Sequence, residues 1–310
     1  MRAWGIGEVL WDIFSDKERL GGATLNFCAN LQRLGNTVAL LSAVGRDSRG
    51  ALALKRMQEL GLDTSGVRIV DKSPTGVAVV RTTEAGEPTF IIPRPAAFDL
   101  VSTGPEILTE AEGQVVDWLY FGTLLQTNGP IEQFTTKLAG RSRHLRCFYD
   151  MNLRTGHWNL ALVQRLSRLA SILKVNEVEA ETLFNLTRRQ EDTFSMEQFC
   201  RDWASTYDID VICVTLGPAG CCMFNRGTIH RVPGFPVKVC DTVGSGDAFA
   251  AAFLHGYQRN WPVLDTARFA NALGALVASR SGATPDWTIE ECFALASMTY
   301  PDVVALRAQA

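Results

Sequence analysis

Short apolar runs alternate with longer stretches of helical period along most of the chain. AWGIGEVLW, TVALLSAVG, VVDWLYFGT, RCFYDMN, SILKVN and VICVTLG read as buried strands, and segments such as Asn26 to Leu34 and Ala51 to Leu60 carry apolar residues on one helical face. That rhythm predicts an α/β fold, with a mainly parallel central sheet flanked by helices on both faces. One region breaks it. Between Thr75 and Phe98, GVAVVRTT and PTFIIP are joined by EAGEP with no helix between them, which predicts an antiparallel hairpin. Such a hairpin either extends a sheet edge or closes over a site as a lid that excludes water. With no repeat or low-complexity linker, the expected organisation is a single domain over 1–310. It carries a small β-hairpin lid, with lid strands drawn from about 10–20 and 75–98.

Composition narrows the chemistry. At 310 residues, 46% hydrophobic and 20% charged, the chain can bury a sizeable core. A net charge of −3 without a Lys/Arg stripe argues against nucleic acid and acidic membrane as partners. The eight cysteines, from Cys28 to Cys292, show no CxxC pairing and fall mostly in apolar runs, as buried free thiols do. Glu8 and Asp12 interrupt what would have to be the apolar core of a leader, and no run of eighteen apolar residues occurs elsewhere. A cytoplasmic protein acting on small molecules is expected.

In open α/β sheets ligands bind beyond the carboxyl ends of the strands, so polar residues following strand-like runs are the candidates. Asp12 ends GEVLWD and is followed by GGATLN, where Gly21, Gly22 and Asn26 read either as turn glycines with a capping Asn or as a contact for vicinal sugar hydroxyls. Gly45 and Asp47 in GRDSRG read as turn and cap. Asp150, Asn152 and Arg154 alternate at a strand end, which places them on one side, where Arg suits a phosphate. Asn176 and Glu179 share the first turn of a helix and serve equally as a cap or as holders of a magnesium water shell. In VTLGPAG, Thr215, Gly217 and Gly220 form a loop against which a nucleotide can lie. The last place is CDTVGSGDAFAAAFLHGY. Gly244, Ser245 and Gly246 lead into an apolar helix, baring amides at its N-terminus, and Asp247 stands beside them as a helix cap, a general base or both. There is no GxxxxGK[ST] and no GxGxxG after the first strand.

Together these residues resemble the ribokinase family of carbohydrate kinases, also called the PfkB family, over essentially the whole chain. DTVGSGD is similar to the family signature DTxGAGD. Asp12, GGATLN, Gly35 and Gly45, the DxNxR at Asp150, the NxxE at Asn176 and the TxGxxG at Thr215 follow in family order. Ser245 stands where the family has Ala, and Thr24 and Cys28 where its first signature prefers small residues. The resemblance implies a ribokinase-like three-layer fold, with Asp247 as base and the amides of residues 244 to 246 as the anion hole for the transferred phosphoryl group. It further implies ATP and magnesium as cofactors, with Asn152, Arg154, Asn176, Thr215, Gly217, Gly220 and Asn271 along the nucleotide and Glu179 near the metal. A potassium ion is implied at Asp241, Val243, Ser279 and Gly282, a place that reads otherwise as a helix C-cap and turn.

GEVLWD, GGATLNF and IIPRPAAFD look most like the fructokinase-like branch, where Arg94 and Asp99 would line the sugar; an Arg on a hairpin reads equally as a solvated charge. A ketohexose kinase leads, ahead of a kinase of ribose, a 2-keto-3-deoxy sugar acid or a nucleoside. A sugar-binding regulator that has lost turnover is the remaining alternative, and an unpaired lid edge invites a homodimer.

Overall fold

The computed structural model describes residues 1–82, 88–104, 107, 115–142, 144–188 and 193–297. Its strands are β1 (Arg2–Ile6), β2 (Leu10–Ile13), β3 (Glu18–Gly21), β4 (Thr37–Gly45), β5 (Val67–Val70), β6 (Gly76–Thr82), β7 (Pro88–Ile91), β8 (Trp118–Gly122), β9 (Arg146–Asp150), β10 (Ile172–Asn176), β11 (Val211–Thr215), β12 (Cys221–Asn225) and β13 (Thr228–Val232). Nine of them form one sheet in the order β13-β12-β11-β10-β9-β8-β1-β4-β5. Every neighbouring pair from β11 to β5 is parallel, and β12 and β13 close one edge antiparallel.

Successive residues of the parallel strands serve opposite cores, as the two-residue period requires. Trp118 and Tyr120 pack beneath the helices Ala23–Arg33, Ser245–Gln258 and Val263–Ala278. Leu119 and Phe121 pack beneath Gly129–Ala139, Leu160–Ser167, Glu177–Thr187 and Met196–Tyr207. This is the expected three-layer arrangement. The Ser245–Gln258 helix is buried along most of its length, and its alanines at 248 and 250 to 252 let the two neighbouring helices approach closely.

Three features differ from the sequence reading. AWGIGEVLW is not one strand but two, β1 and β2, in different sheets. The chain turns at Gly7 and Glu8, where the buried Glu8 carboxylate accepts the Ala23 amide at 3.0 Å and so fastens the start of the Ala23–Arg33 helix. The expected hairpin is part of a four-stranded sheet, β3-β2-β6-β7, in which β2 and β6 run parallel and the outer pairs antiparallel. Most of the EAGEP turn lies outside the described residues. Finally, β12 and β13 form a hairpin through Arg226 (φ 47°) and Gly227 (φ 84°), a left-handed two-residue turn that matches strand twist.

Asp47 caps the Ser48–Glu59 helix through Gly50 N–H at 2.7 Å and also takes the amide and hydroxyl of Thr75, the structural role expected of it. The eight cysteines are free, all buried except Cys240. No helix among the described residues is long and apolar enough to cross a membrane.

Candidate active site

A cavity of about 270 Å³ opens beyond the carboxyl ends of β8, β9, β10 and β11, beneath the smaller sheet. Asp247 lies at its base, in the first turn of the Ser245–Gln258 helix. Gly244 caps that helix with φ 81°, and a Cβ there would drive into the Ala283 carbonyl, so only glycine lets the chain turn so tightly. Gly244 and Gly246 line the cavity with their backbone. Ser245 does not, which corrects the reading of three equivalent amides: its N–H turns back onto the Thr242 carbonyl at 3.3 Å, and its hydroxyl donates to the same oxygen at 2.8 Å.

The Asp247 carboxylate accepts the Asn26 amide at 2.9 Å. Burial, and next the negative charge of Asp150, push its pKa up to about 7, against the opposing pull of Lys174, Asn26 and Arg154. Behind it lies a network that the sequence did not announce. The Lys174 ammonium, on β10, holds both oxygens of Asp150 at 2.8 and 3.0 Å, and Tyr120 donates its hydroxyl to the same carboxylate at 2.8 Å. Asp150 therefore points inward and does not share a face with Asn152 and Arg154, which line the cavity. A lone lysine in the apolar run SILKVN was the available signal, since a buried lysine demands a partner.

At the other end stand three of the four residues expected there, Asp12, Gly22 and Asn26, with Glu8 beside them; Gly21 does not line the cavity and lies against the Asp12 carboxylate. Gly22 has φ 118°, and a side chain there would strike the Glu8 carbonyl. Asp12 is only 6% exposed; burial lifts its pKa to about 6, and Arg154 is the main opposing influence. The buried Asn26 carbonyl oxygen has no hydrogen-bond partner among the described residues.

Arg94 and Asp99 are placed differently from the expectation. They pair with each other, and Arg94 also donates to the Leu124 carbonyl at 2.9 Å and to the Thr127 hydroxyl, while Asp99 accepts the Ala96 amide at 2.9 Å. Neither lines the cavity. A carboxylate and a guanidinium five residues apart satisfy one another before they reach inward.

Arg154, Asn176 and Thr215 also border a second cavity, of about 470 Å³, with Gly217 and Glu179. Asn176 and Glu179 form a reciprocal capping box, Asn176 accepting Glu179 N–H at 2.8 Å and Glu179 accepting Asn176 N–H at 2.9 Å; Glu179 also accepts Leu153 N–H at 2.7 Å. Both carboxylate oxygens thus carry an amide and keep lone pairs for a hydrated ion. Such a pair fits a magnesium ion that brings most of its oxygen shell as phosphate and water; among the described residues no three acids, histidines or cysteines cluster as metal ligands. Asn271 and Gly220 border neither cavity: the Asn271 amide donates to the Val232 and Pro233 carbonyls at 3.1 Å, bracing the segment that follows β13.

At the residues expected to hold potassium, the carboxylate is already engaged. Asp241 accepts Val243 N–H and Gly282 N–H, each at 3.1 Å, and its carboxylate is paired with the guanidinium of Arg19, which also donates to the Ser281 hydroxyl. The Ser279 hydroxyl donates to the Leu276 carbonyl at 2.7 Å.

Comparison with known proteins agrees with this architecture. Residues 7–290 match the family described as pfkB family carbohydrate kinase. A fructokinase-1 of Zea mays is 28% identical over 293 residues, covering 87% of this chain and 85% of its own. An aminoimidazole riboside kinase of Salmonella typhimurium is 27% identical over 300 residues, covering 91% and 90%. The crystal structure of a fructokinase with bound ATP from Xylella fastidiosa superposes with a TM-score of 0.82 at 22% identity, over 95% of this chain and 98% of that one. With a match spanning residues 7–290, the chain belongs to the pfkB family of carbohydrate kinases.

Proposed function

We propose that this carbohydrate kinase transfers the γ-phosphate of ATP to a primary hydroxyl of a small neutral sugar, with fructose the leading substrate. The observation that carries the reading is Asp247, buried at the base of the cavity, hydrogen-bonded by Asn26 and adjoining the Gly244 and Gly246 backbone. Asp12 accepts sugar hydroxyls, and Asn26 beside it at the cavity wall helps hold one of them near Asp247. Asp247 takes the proton as that oxygen attacks. The glycine amides and the helix N-terminus receive the negative charge of the phosphoryl group, with Arg154 at the cavity wall adding positive charge. Asn176 and Glu179 would hold a magnesium ion through water, which would supply positive charge to offset that of the phosphates.

Two features favour a neutral sugar over the rival substrates. No aromatic ring is among the described residues that line the first cavity, as a nucleoside base would want. Arg19 and Arg94, two basic residues a sugar acid could use, are committed to Asp241 and Asp99, which leaves such a substrate only Arg154 among the arginines at the described cavity wall, to be shared with the phosphates. The fructokinases among the relatives support the same choice, and the aminoimidazole riboside kinase names the main competitor. A regulator without turnover would have no use for a base so placed.

The deciding experiment measures ADP release from magnesium ATP with fructose, ribose, tagatose, 2-keto-3-deoxygluconate and adenosine. Fructose is expected to give the highest kcat/KM; a higher value on another member of the set would replace the substrate. The same assay carries a pH prediction. Because Asp247 titrates near pH 7 and must be ionised to accept a proton, kcat/KM should fall about tenfold per unit below that pH and level off above it. A flat profile from pH 5 to 8 would show that burial does not raise the pKa of the base into this range.

A further inference from the structure

We propose that Arg19 is a built-in replacement for a monovalent cation, so that catalysis in this chain is independent of potassium. The inference rests on the kinase reading above and concerns the support of its anion hole.

Arg19 lies on β3, directly opposite Asp12 of β2 in the antiparallel register. Side chains so paired share a face of the sheet. From there the guanidinium reaches Asp241, which opens the DTVGSGD loop, and Ser281, in the loop that follows the Val263–Ala278 helix. One planar cation therefore joins three segments distant in sequence. A guanidinium suits this task because its fork addresses a carboxylate and a hydroxyl at once, which a spherical ion cannot do with such directionality.

The consequence falls on Gly244. The Asp241 carboxylate, held by Arg19 and the Gly282 amide, in turn accepts the Val243 amide at 3.1 Å and so fixes the peptide that leads into the anion hole. Arg19 and Asp241 are both largely buried, with side chains 24% and 18% exposed, so their pairing is weakly screened by solvent. Potassium would bring one positive charge to this spot. Arg19 already brings it, and a second cation on the same carboxylate would meet its repulsion. Arg19 touches no substrate in this account. It is a positioning residue that carries its charge from the sugar-side sheet to the phosphate-side loop.

The test compares wild type, Arg19→Ala and Arg19→Lys in potassium chloride and in choline chloride at equal ionic strength. Turnover of magnesium ATP with the best substrate and thermal melting are both read. Wild-type kcat and melting temperature are expected to be the same in the two salts. Arg19→Ala should lose about tenfold in kcat in choline, with KM for sugar less affected. Potassium should restore most of that loss and raise the melting temperature of this variant alone by about 2 °C. Arg19→Lys, which keeps the charge, should fall between the two. The proposal is overturned by a wild type that needs potassium, by an Arg19→Ala that keeps full turnover in choline, or by one whose loss and melting temperature ignore potassium, as a merely structural arginine would. Melting requires no substrate, so the thermal measurement decides the matter even where the choice of sugar proves wrong.

Discussion

Asp247→Asn is expected to lower kcat by about 10³-fold at pH 8 while making the protein harder to unfold at that pH. The loss follows from geometry: the carboxylate at the cavity base is replaced by an amide that cannot take a proton, while Asn26 and the glycine backbone stay in place. The gain in stability follows from linkage. Burial, and next Asp150, raise the Asp247 pKa from 3.8 in the unfolded chain to about 7 in the fold. Below about pH 4 the group is protonated in both states and its ionisation costs the fold nothing. Between about pH 4 and 7 the unfolded chain ionises this group while the fold holds it protonated, so stability falls across that window and levels off once the folded group ionises as well. Asparagine removes that cost. About 4 kcal/mol at pH 8 is the upper bound on the gain, narrowing to nothing towards pH 4. The favourable interaction of a carboxylate with the helix N-terminus opposes it by only about 0.3–1 kcal/mol. Melting curves at pH 4 and 8, read beside kcat, check both halves. A variant less stable than wild type at pH 8 would mean that the attraction of the carboxylate to the helix N-terminus outweighs the cost of burying its charge.

The division between what was legible in the sequence and what was not has a physical pattern. The parallel strands could be read because burial on both faces makes them continuous apolar runs, as in VICVTLG. The Gly244 turn could be read because a helix start with φ 81° and the Ala283 carbonyl pressed against it admits no side chain. The capping box of Asn176 and Glu179 was visible in its spacing.

What stayed hidden depends on pairs that only the tertiary fold brings together. Lys174 meets Asp150 across neighbouring parallel strands, and Arg19 meets Asp241 across 222 positions of chain. A charge alone in an apolar run signals that a partner exists, not which one. Arg94 shows the converse error. Its charge suggested a ligand, but a nearer carboxylate, Asp99, claimed it. Ser245 was misjudged for a related reason: three small residues in a row look equivalent, while a tight turn needs one of their amides for itself.

Lys174→Met should destabilise the protein by about 3 kcal/mol or more and move the acid limb of kcat/KM to higher pH. Lys174 and Asp150 have side chains 8% and 1% exposed. The mutation leaves the Asp150 charge buried with only Tyr120 donating to it, and an uncompensated buried charge costs far more than the pair contributes. Lys174 is also the largest influence holding the Asp247 pKa down, so its loss should raise that pKa above 7 and leave less of the base ionised at neutral pH. Activity lost at pH 7 should therefore return in part at pH 9, which a simple packing defect would not allow. Adding Asp150→Asn separates the two effects further. Neutralising the orphaned carboxylate should recover most of the stability, because a buried pair removed together is nearly neutral, and should lower the Asp247 pKa again by taking away its chief repulsive neighbour. Urea titrations of the single and double variants, with pH profiles of each, provide the measurement. If the double variant were no more stable than Lys174→Met, the ammonium would owe its place to packing beneath Gly246 rather than to the charge of Asp150.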